Sequence, residues 1–259
     1  MKTRIFARPR SALLASMAAV TLLFAAPASA QQTFSDEQKQ AIEAIIKDYL
    51  IAHPEVLQEA QAALDKKQQE ADAEKARTTI KENNATLFSS PHQVVLGNPQ
   101  GTTTMVEFFD YNCGYCKRAM ADMLDLLKND SKLKVVLKEF PVLSEGSVEA
   151  AKVAVAARMQ DPKKYLDFHQ KLLGGRGPAD KARAMAAAKD AGYDTAKIEK
   201  DLASPEVKAT IEENFKLAED MGLNGTPSYV IGKQIVVGAV GLDGLKEKIG
   251  IARCGKATC

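Results

Sequence analysis

The chain lacks tryptophan, has only 6% aromatic residues and three histidines, and carries no large excess of either charge, with 35 Lys and Arg against 33 Asp and Glu. Four cysteines in 259 residues are too few for a disulfide-dense scaffold, and 46% hydrophobic content is too much for a disordered or collagen-like chain. At roughly 100–200 residues per domain, the length allows one full domain plus an accessory segment. No apolar run reaches the roughly 20 residues that span a bilayer as a helix. The longest, Ala12 to Ala26, follows Lys2, Arg4, Arg8 and Arg10 and ends at Pro27 and Ala28-Ser29-Ala30. This is the layout of a secretory signal peptide over residues 1–30, with cleavage expected after Ala30. Without it the chain has 31 basic and 33 acidic residues, a net charge of −2. That balance excludes nucleic-acid binding driven by excess positive charge. The signal holds no cysteine to take a lipid anchor, so a soluble exported protein is expected. All four cysteines then face an oxidising compartment, most simply the bacterial periplasm.

Glycine is missing from residues 33–87, which hold a single proline and read as helix. Ser35 and Gln38 have capping-box spacing, and Ile42, Ile45, Ile46, Tyr49 and Leu50 recur on one face. Pro54 should stop this helix near His53 and open a second. Its stripe of Val56, Leu57, Ala60, Ala63 and Leu64 fades into mixed charge through Asn84. A helix from Pro54 to Asn84 would span about 45 Å at 1.5 Å per residue. It either docks on its own domain or pairs with other copies through its apolar start. Apolar positions first and polar ones beside the next domain favour an oligomerisation segment and linker over residues 31–90.

Beyond Pro91 the pattern turns to strand. Val94-Val95-Leu96 ends in a turn at residues 97–101, and Thr102 to Phe109 is a β-branched and aromatic run. A helix from Gly114 to Leu127 and a strand from Leu133 to Phe140 complete a strand–helix–strand unit, hence a parallel pair. Lys138 on that strand is expected to face outward. Residues 145–222 read as helical, broken at Asp161-Pro162, at residues 174–178 and at Ser204-Pro205. Short strands Ser228–Ile231 and Gln234–Val237 and a helix from Leu242 to Ile249 follow, so the fold class is α/β.

Cys113-Gly114-Tyr115-Cys116 falls between a strand end and a helix start. There the free N–H groups and positive dipole end favour a thiolate on Cys113, while Cys116, one turn on, can close or resolve a disulfide. Haem attachment would need His where Lys117 stands, and the scattered His53, His92 and His169 supply no second ligand pair for zinc. Redox chemistry is therefore expected, with no resident metal or cofactor. A copper carrier holding Cu(I) between the two soft thiolates stays as an alternative of another class. Gly225-Thr226-Pro227 precedes a strand, where a proline suggests a special turn and a possible cis bond.

Strand, CxxC helix, strand, helical block, Thr-Pro, hairpin and terminal helix together resemble the thioredoxin fold with the helical insertion of the DsbA-like family, over about residues 91–250. The helical segment ahead of it and the Cys-Gly-Tyr-Cys dithiol look most like the ScsC-type periplasmic proteins. The resemblance implies catalytic Cys113 and Cys116, and a buried Glu107 that exchanges the Cys116 proton. It also implies a cis Pro227 opposite the dithiol, with Thr226, Gly114 and Tyr115 contacting the substrate peptide. Disulfide isomerase or reductase activity on misbonded exported proteins follows, with a membrane thiol–disulfide reductase as electron donor and a homo-oligomer, a trimer favoured. A DsbA-like dithiol oxidase and a copper-binding redox protein are the alternatives. Asn112 departs from the Trp common before the dithiol in thioredoxins. Cys254 and Cys259, in a tail of residues 254–259, also lie outside the family pattern. They read as a small local disulfide, with a relay partner or metal clip less favoured because no helix N-terminus activates them.

Overall fold

The computed structural model describes residues 34–259, so the expected signal peptide lies outside the described residues. The chain divides into two units, one ending at Ala60 and one running from Gln61 to Cys259.

In the first unit, α1 (Asp36–Ala52) starts at Ser35 with the expected capping box. Gln38 N–H donates to Ser35 Oγ at 3.2 Å, and Ser35 N–H donates to Gln38 Oε1 at 2.9 Å. The helix ends at His53, and α2 (Glu55–Glu82) begins after Pro54. No residue of α1 is buried: Ile42, Ile45, Ile46 and Tyr49 all lie open. Among the described residues of this unit its apolar face has no partner.

In the second unit, β2 (Thr103–Phe109) is apolar at most positions because both its faces are covered. It pairs parallel with β3 (Leu133–Glu139), Val106 opposite Val136, and antiparallel with β4 (Ser228–Ile231), Glu107 opposite Tyr229. β1 (Val94–Gly97) borders β3 and β5 (Gln234–Val237) borders β4, giving the sheet order β1-β3-β2-β4-β5. The two-residue period of β2 sorts its side chains between two cores. Met105 and Phe109 join Cys116 and Met123 of α4 (Gly114–Asn129) and Leu245 and Ile249 of α10 (Gly241–Cys254). Val106 and Phe108 instead meet Ile80 of α2, Leu87 of α3 (Asn84–Ser89) and Leu217 of α9 (Pro205–Asp220). Between β3 and β4 the chain inserts α5 (Glu145–Gln160), α6 (Tyr165–Leu173), α7 (Lys181–Asp190), α8 (Thr195–Asp201) and α9. A mixed sheet with an inserted helical block is the thioredoxin-like architecture that the motif order implied.

Three details differ from the sequence reading. α10 runs on to Cys254, where Gly255 at φ 77° ends it, so this cysteine closes a helix instead of lying in a tail. A further break, with Gly192 at φ 78°, separates α7 from α8. Lys138, expected to face outward, is fully buried, because α3 and α9 cover the β3 face that it occupies. Its Nζ donates to Glu213 Oε1 at 2.9 Å and to the Thr86 carbonyl at 3.1 Å. Burial pulls the Lys138 ammonium down, while the Glu213 carboxylate works to hold the charge.

Candidate active site

The turn from β2 into α4 is organised by Asp110, which is buried at the strand end. Its Oδ1 accepts the Asn112 N–H at 2.8 Å, its Oδ2 the Leu143 N–H at 3.0 Å, and its carbonyl the Cys113 N–H at 3.0 Å. A short acidic side chain that binds the amide two residues on is a standard way to force such a turn. Cys113 thereby becomes the N-cap of α4 at φ −81°, ψ 113°, and its Sγ accepts the Cys116 N–H at 3.3 Å. The sulfur takes the place of a capping oxygen at the helix end where backbone amides are left unpaired.

Cys116 sits one turn further on and is fully buried, and both cysteines are free thiols. Burial pushes the Cys116 thiol well up, and the Glu107 carboxylate adds to this. Glu107 lies on the β2 face that packs against α4 and is 3% exposed. Burial, aided by the Asp122 charge on α4, raises its carboxyl to about 8. Gly114 and Tyr115 form the open rim of the site: a Cβ on Gly114 would meet nothing within 4 Å, and Arg118 lies over the Tyr115 ring at 4.2 Å.

Opposite the dithiol, the Thr226–Pro227 bond is cis. The Cys113 thiol donates to the Thr226 carbonyl at 3.1 Å. Ser228 Oγ donates to the Gly225 carbonyl at 2.8 Å, and the Gly238 N–H to the Pro227 carbonyl at 2.9 Å, pinning this turn on both sides. Cys113, Cys116, Thr226, Pro227 and Glu107 thus converge from β2, α4 and the loop before β4, with Gly114 and Tyr115 at the edge. Cys254 and Cys259 are joined in the local disulfide expected of them. Among the described residues no cluster of three or more His, Cys, Asp or Glu could hold a metal ion, and no helix is long and apolar enough to cross a membrane.

Sequence reasoning missed Asp110 as the organiser of the turn, although its place two residues before Asn112 is a readable signal for an Asx-type turn. It also missed what Asn112 and Lys117 hold. The Asn112 side chain reaches Ala179, and Lys117 Nζ donates to the Gly175 carbonyl at 2.5 Å, contacts made across 67 and 58 residues. Nothing local in the sequence announces them.

Residues 104–250 match the DSBA-like thioredoxin domain, and residues 38–71 match the copper resistance protein ScsC N-terminal domain. A thioredoxin-like oxidoreductase from Silicibacter pomeroyi is 43% identical, superposes with a TM-score of 0.64, and covers 66% of this chain and 98% of its own. A linker-deleted variant of Proteus mirabilis ScsC is 26% identical, with a TM-score of 0.65 over 86% of this chain and 98% of that one. Disulfide bond formation protein D of Bacillus subtilis is 25% identical over 167 residues, 61% of this chain and 75% of that protein. With its dithiol at the start of α4 and its family match running from β2 into α10, the chain belongs to the DsbA-like thioredoxin family of thiol–disulfide oxidoreductases and carries an ScsC-type N-terminal domain ahead of it.

Proposed function

We propose that the chain is a periplasmic protein thiol–disulfide isomerase or reductase that acts on misbonded exported proteins through Cys113 and Cys116. One observation carries this reading: Cys113 Sγ caps α4, 3.3 Å from the Cys116 N–H, and faces the Thr226 carbonyl at 3.1 Å. The Cys113 thiolate attacks one sulfur of a substrate disulfide, forming a mixed disulfide and releasing the other substrate sulfur as a thiolate. In isomerisation a different substrate thiolate attacks the mixed disulfide, forms a new substrate disulfide and returns Cys113 as thiolate. In reduction Cys116 attacks Cys113 Sγ instead, releasing the second substrate thiolate and leaving a Cys113–Cys116 disulfide. Two electrons then pass to the substrate, and a membrane thiol–disulfide reductase restores the dithiol.

Glu107 fits as the acceptor of the Cys116 proton, since a buried carboxyl with its midpoint near 8 can hold or release a proton close to neutrality. Thr226 and Pro227 offer the backbone edge against which the substrate strand lies, and Gly114 and Tyr115 flank it. An isomerase must keep its dithiol reduced, and an oligomer that shields the site from oxidising partners allows this. The open apolar face of α1 and the ScsC-type match over residues 38–71 support assembly through residues 31–90, a trimer favoured.

The test compares the mature protein with a form lacking residues 31–90, by mass in solution and by refolding of a scrambled disulfide substrate. The truncated form is expected to be monomeric, with weaker isomerase activity and stronger dithiol oxidase activity. The same number of chains per particle in both forms, together with equal refolding, would sink the oligomer argument. The second reading, a dithiol oxidase, draws support from the relative named for disulfide bond formation. It requires Cys113 and Cys116 to be mostly oxidised in the native compartment, which thiol trapping measures.

A further inference from the structure

Asn112 directly precedes Cys113, yet its side chain belongs to the helical insertion. Its Oδ1 accepts the Ala179 N–H at 2.6 Å, and its Nδ2 donates to the Ala179 carbonyl at 2.8 Å. This is a two-point clasp between a side-chain amide and a main-chain residue. Nδ2 also donates to Ser147 Oγ at 2.9 Å and reaches Ser144 Oγ at 3.3 Å, both at the start of α5. On the far side of the dithiol, Lys117 Nζ holds the Gly175 carbonyl. The residues immediately before and after Cys113–Cys116 therefore grip one segment, residues 175–179, between α6 and α7.

We infer that Asn112 is a positioning residue: by clasping Ala179 it holds the Cys113 main chain in its N-cap geometry and so sets the redox equilibrium of the dithiol. The inference rests on the thiol–disulfide chemistry proposed above. The Asn112 main chain is tied to Asp110 and its side chain to Ala179, so the peptide that leads into Cys113 is fixed at both ends. In that geometry the sulfur receives the Cys116 N–H. A hydrogen bond to an ionised acceptor is about twice as strong as one to a neutral acceptor, so the clasp favours the thiolate of the reduced protein over the disulfide. Released from Ala179, Cys113 samples other conformations and that preference weakens.

The full mature protein is equilibrated with glutathione, in which one protein disulfide and two glutathione thiols exchange with one protein dithiol and one glutathione disulfide. Asn112→Ala is expected to move the equilibrium constant about five-fold toward the protein disulfide, the usual strength of one N-cap hydrogen bond. Asn112→Asp, nearly isosteric, keeps an acceptor for the Ala179 N–H but loses the donor and adds an anion next to Cys113, and should shift at least as far in the same direction. Ser147→Ala removes one acceptor and leaves the clasp, so it should stay within about two-fold of wild type, less than one hydrogen bond. If Asn112→Ala and Asn112→Asp both keep the wild-type equilibrium, even with lowered melting temperatures, Asn112 is only structural and the inference is overturned. A wild-type protein whose dithiol does not exchange with glutathione overturns the proposed function instead, so the two failures are distinct.

Discussion

The two cysteine pairs stand at opposite ends of two helices, and that placement separates their chemistry. Cys113 caps the start of α4, where its sulfur takes an N–H from Cys116. Cys254 ends α10, and the sulfurs of that pair lie beside carbonyl oxygens, Cys259 Sγ being 3.4 Å from the Gly250 carbonyl. Cys113 Sγ also meets a carbonyl, that of Thr226 at 3.1 Å, so what separates the pairs is the helix end: unpaired amides and the positive dipole end favour an anion, and the negative end does not. The first pair stands as free thiols and the second is bonded. Spacing alone does not distinguish an active dithiol from an inert bridge; the helix end that each sulfur faces does.

The comparison breaks most plainly if activity follows the wrong pair. Cys113→Ala is expected to lower insulin reduction by at least about a thousandfold, the usual scale for removing a nucleophile. Replacing Cys254 and Cys259 together by Ala should leave it within about two-fold, since surface changes away from a site rarely alter it more. Activity that survives Cys113→Ala would point to a structural role for the first pair, and activity lost with the second pair would make that one a relay.

A smaller effect sharpens the contrast through Glu107, the buried carboxyl on the strand beneath the active pair. Its midpoint rises from 4.5 to about 8 mainly through burial. The folded chain therefore binds this proton more tightly than the unfolded chain. The stability it contributes is complete below pH 4.5 and is lost as the pH rises through 8. Wild type should lose on the order of 3 kcal/mol relative to Glu107→Gln between pH 4.5 and pH 7. Urea unfolding of both proteins across that range reads the difference, and parallel curves would show that Glu107 is not held neutral by its surroundings.

Much of this contrast was legible in the sequence because its causes are local. The strand–turn–helix pattern around Cys113, the proline before β4 and the unbroken apolar run of β2 each carry their own signature. The environment of Lys138 was not legible, because a lysine on a strand reads as outward until α3 and α9 are known to cover that face and Glu213 to meet it. Asn112 read only as a departure from a family pattern, since its partner Ala179 is 67 residues away and uses main-chain atoms, which leave no trace in residue type. The reach of α10 was underread for a similar reason. Its last turn is held by Ala252 against the core and by Arg253, which donates to Thr103 Oγ1 at 3.1 Å and to Asp130 Oδ2 at 2.7 Å, partners far away in the chain.

The smallest expected effect concerns that tail. The Cys254–Cys259 bond closes a loop with a sequence separation of 5, for which chain entropy gives an upper value of about 2 kcal/mol. The loop follows α10, and residues 255–259 are exposed. They fold back closely on α10: a Cβ on Gly250 would come within 2.5 Å of the Ala257 carbonyl oxygen. Opening the bond therefore frees an exposed segment that contributes to neither core, so most of the entropy is regained locally and little of it counts against global unfolding. Replacing both cysteines by Ala should lower the urea-measured stability by less than about 1 kcal/mol, with the slope of the transition unchanged. A loss above about 3 kcal/mol, the scale of a core substitution, would mean that the tail holds α10 against the sheet and that the second pair is part of the scaffold beneath the first.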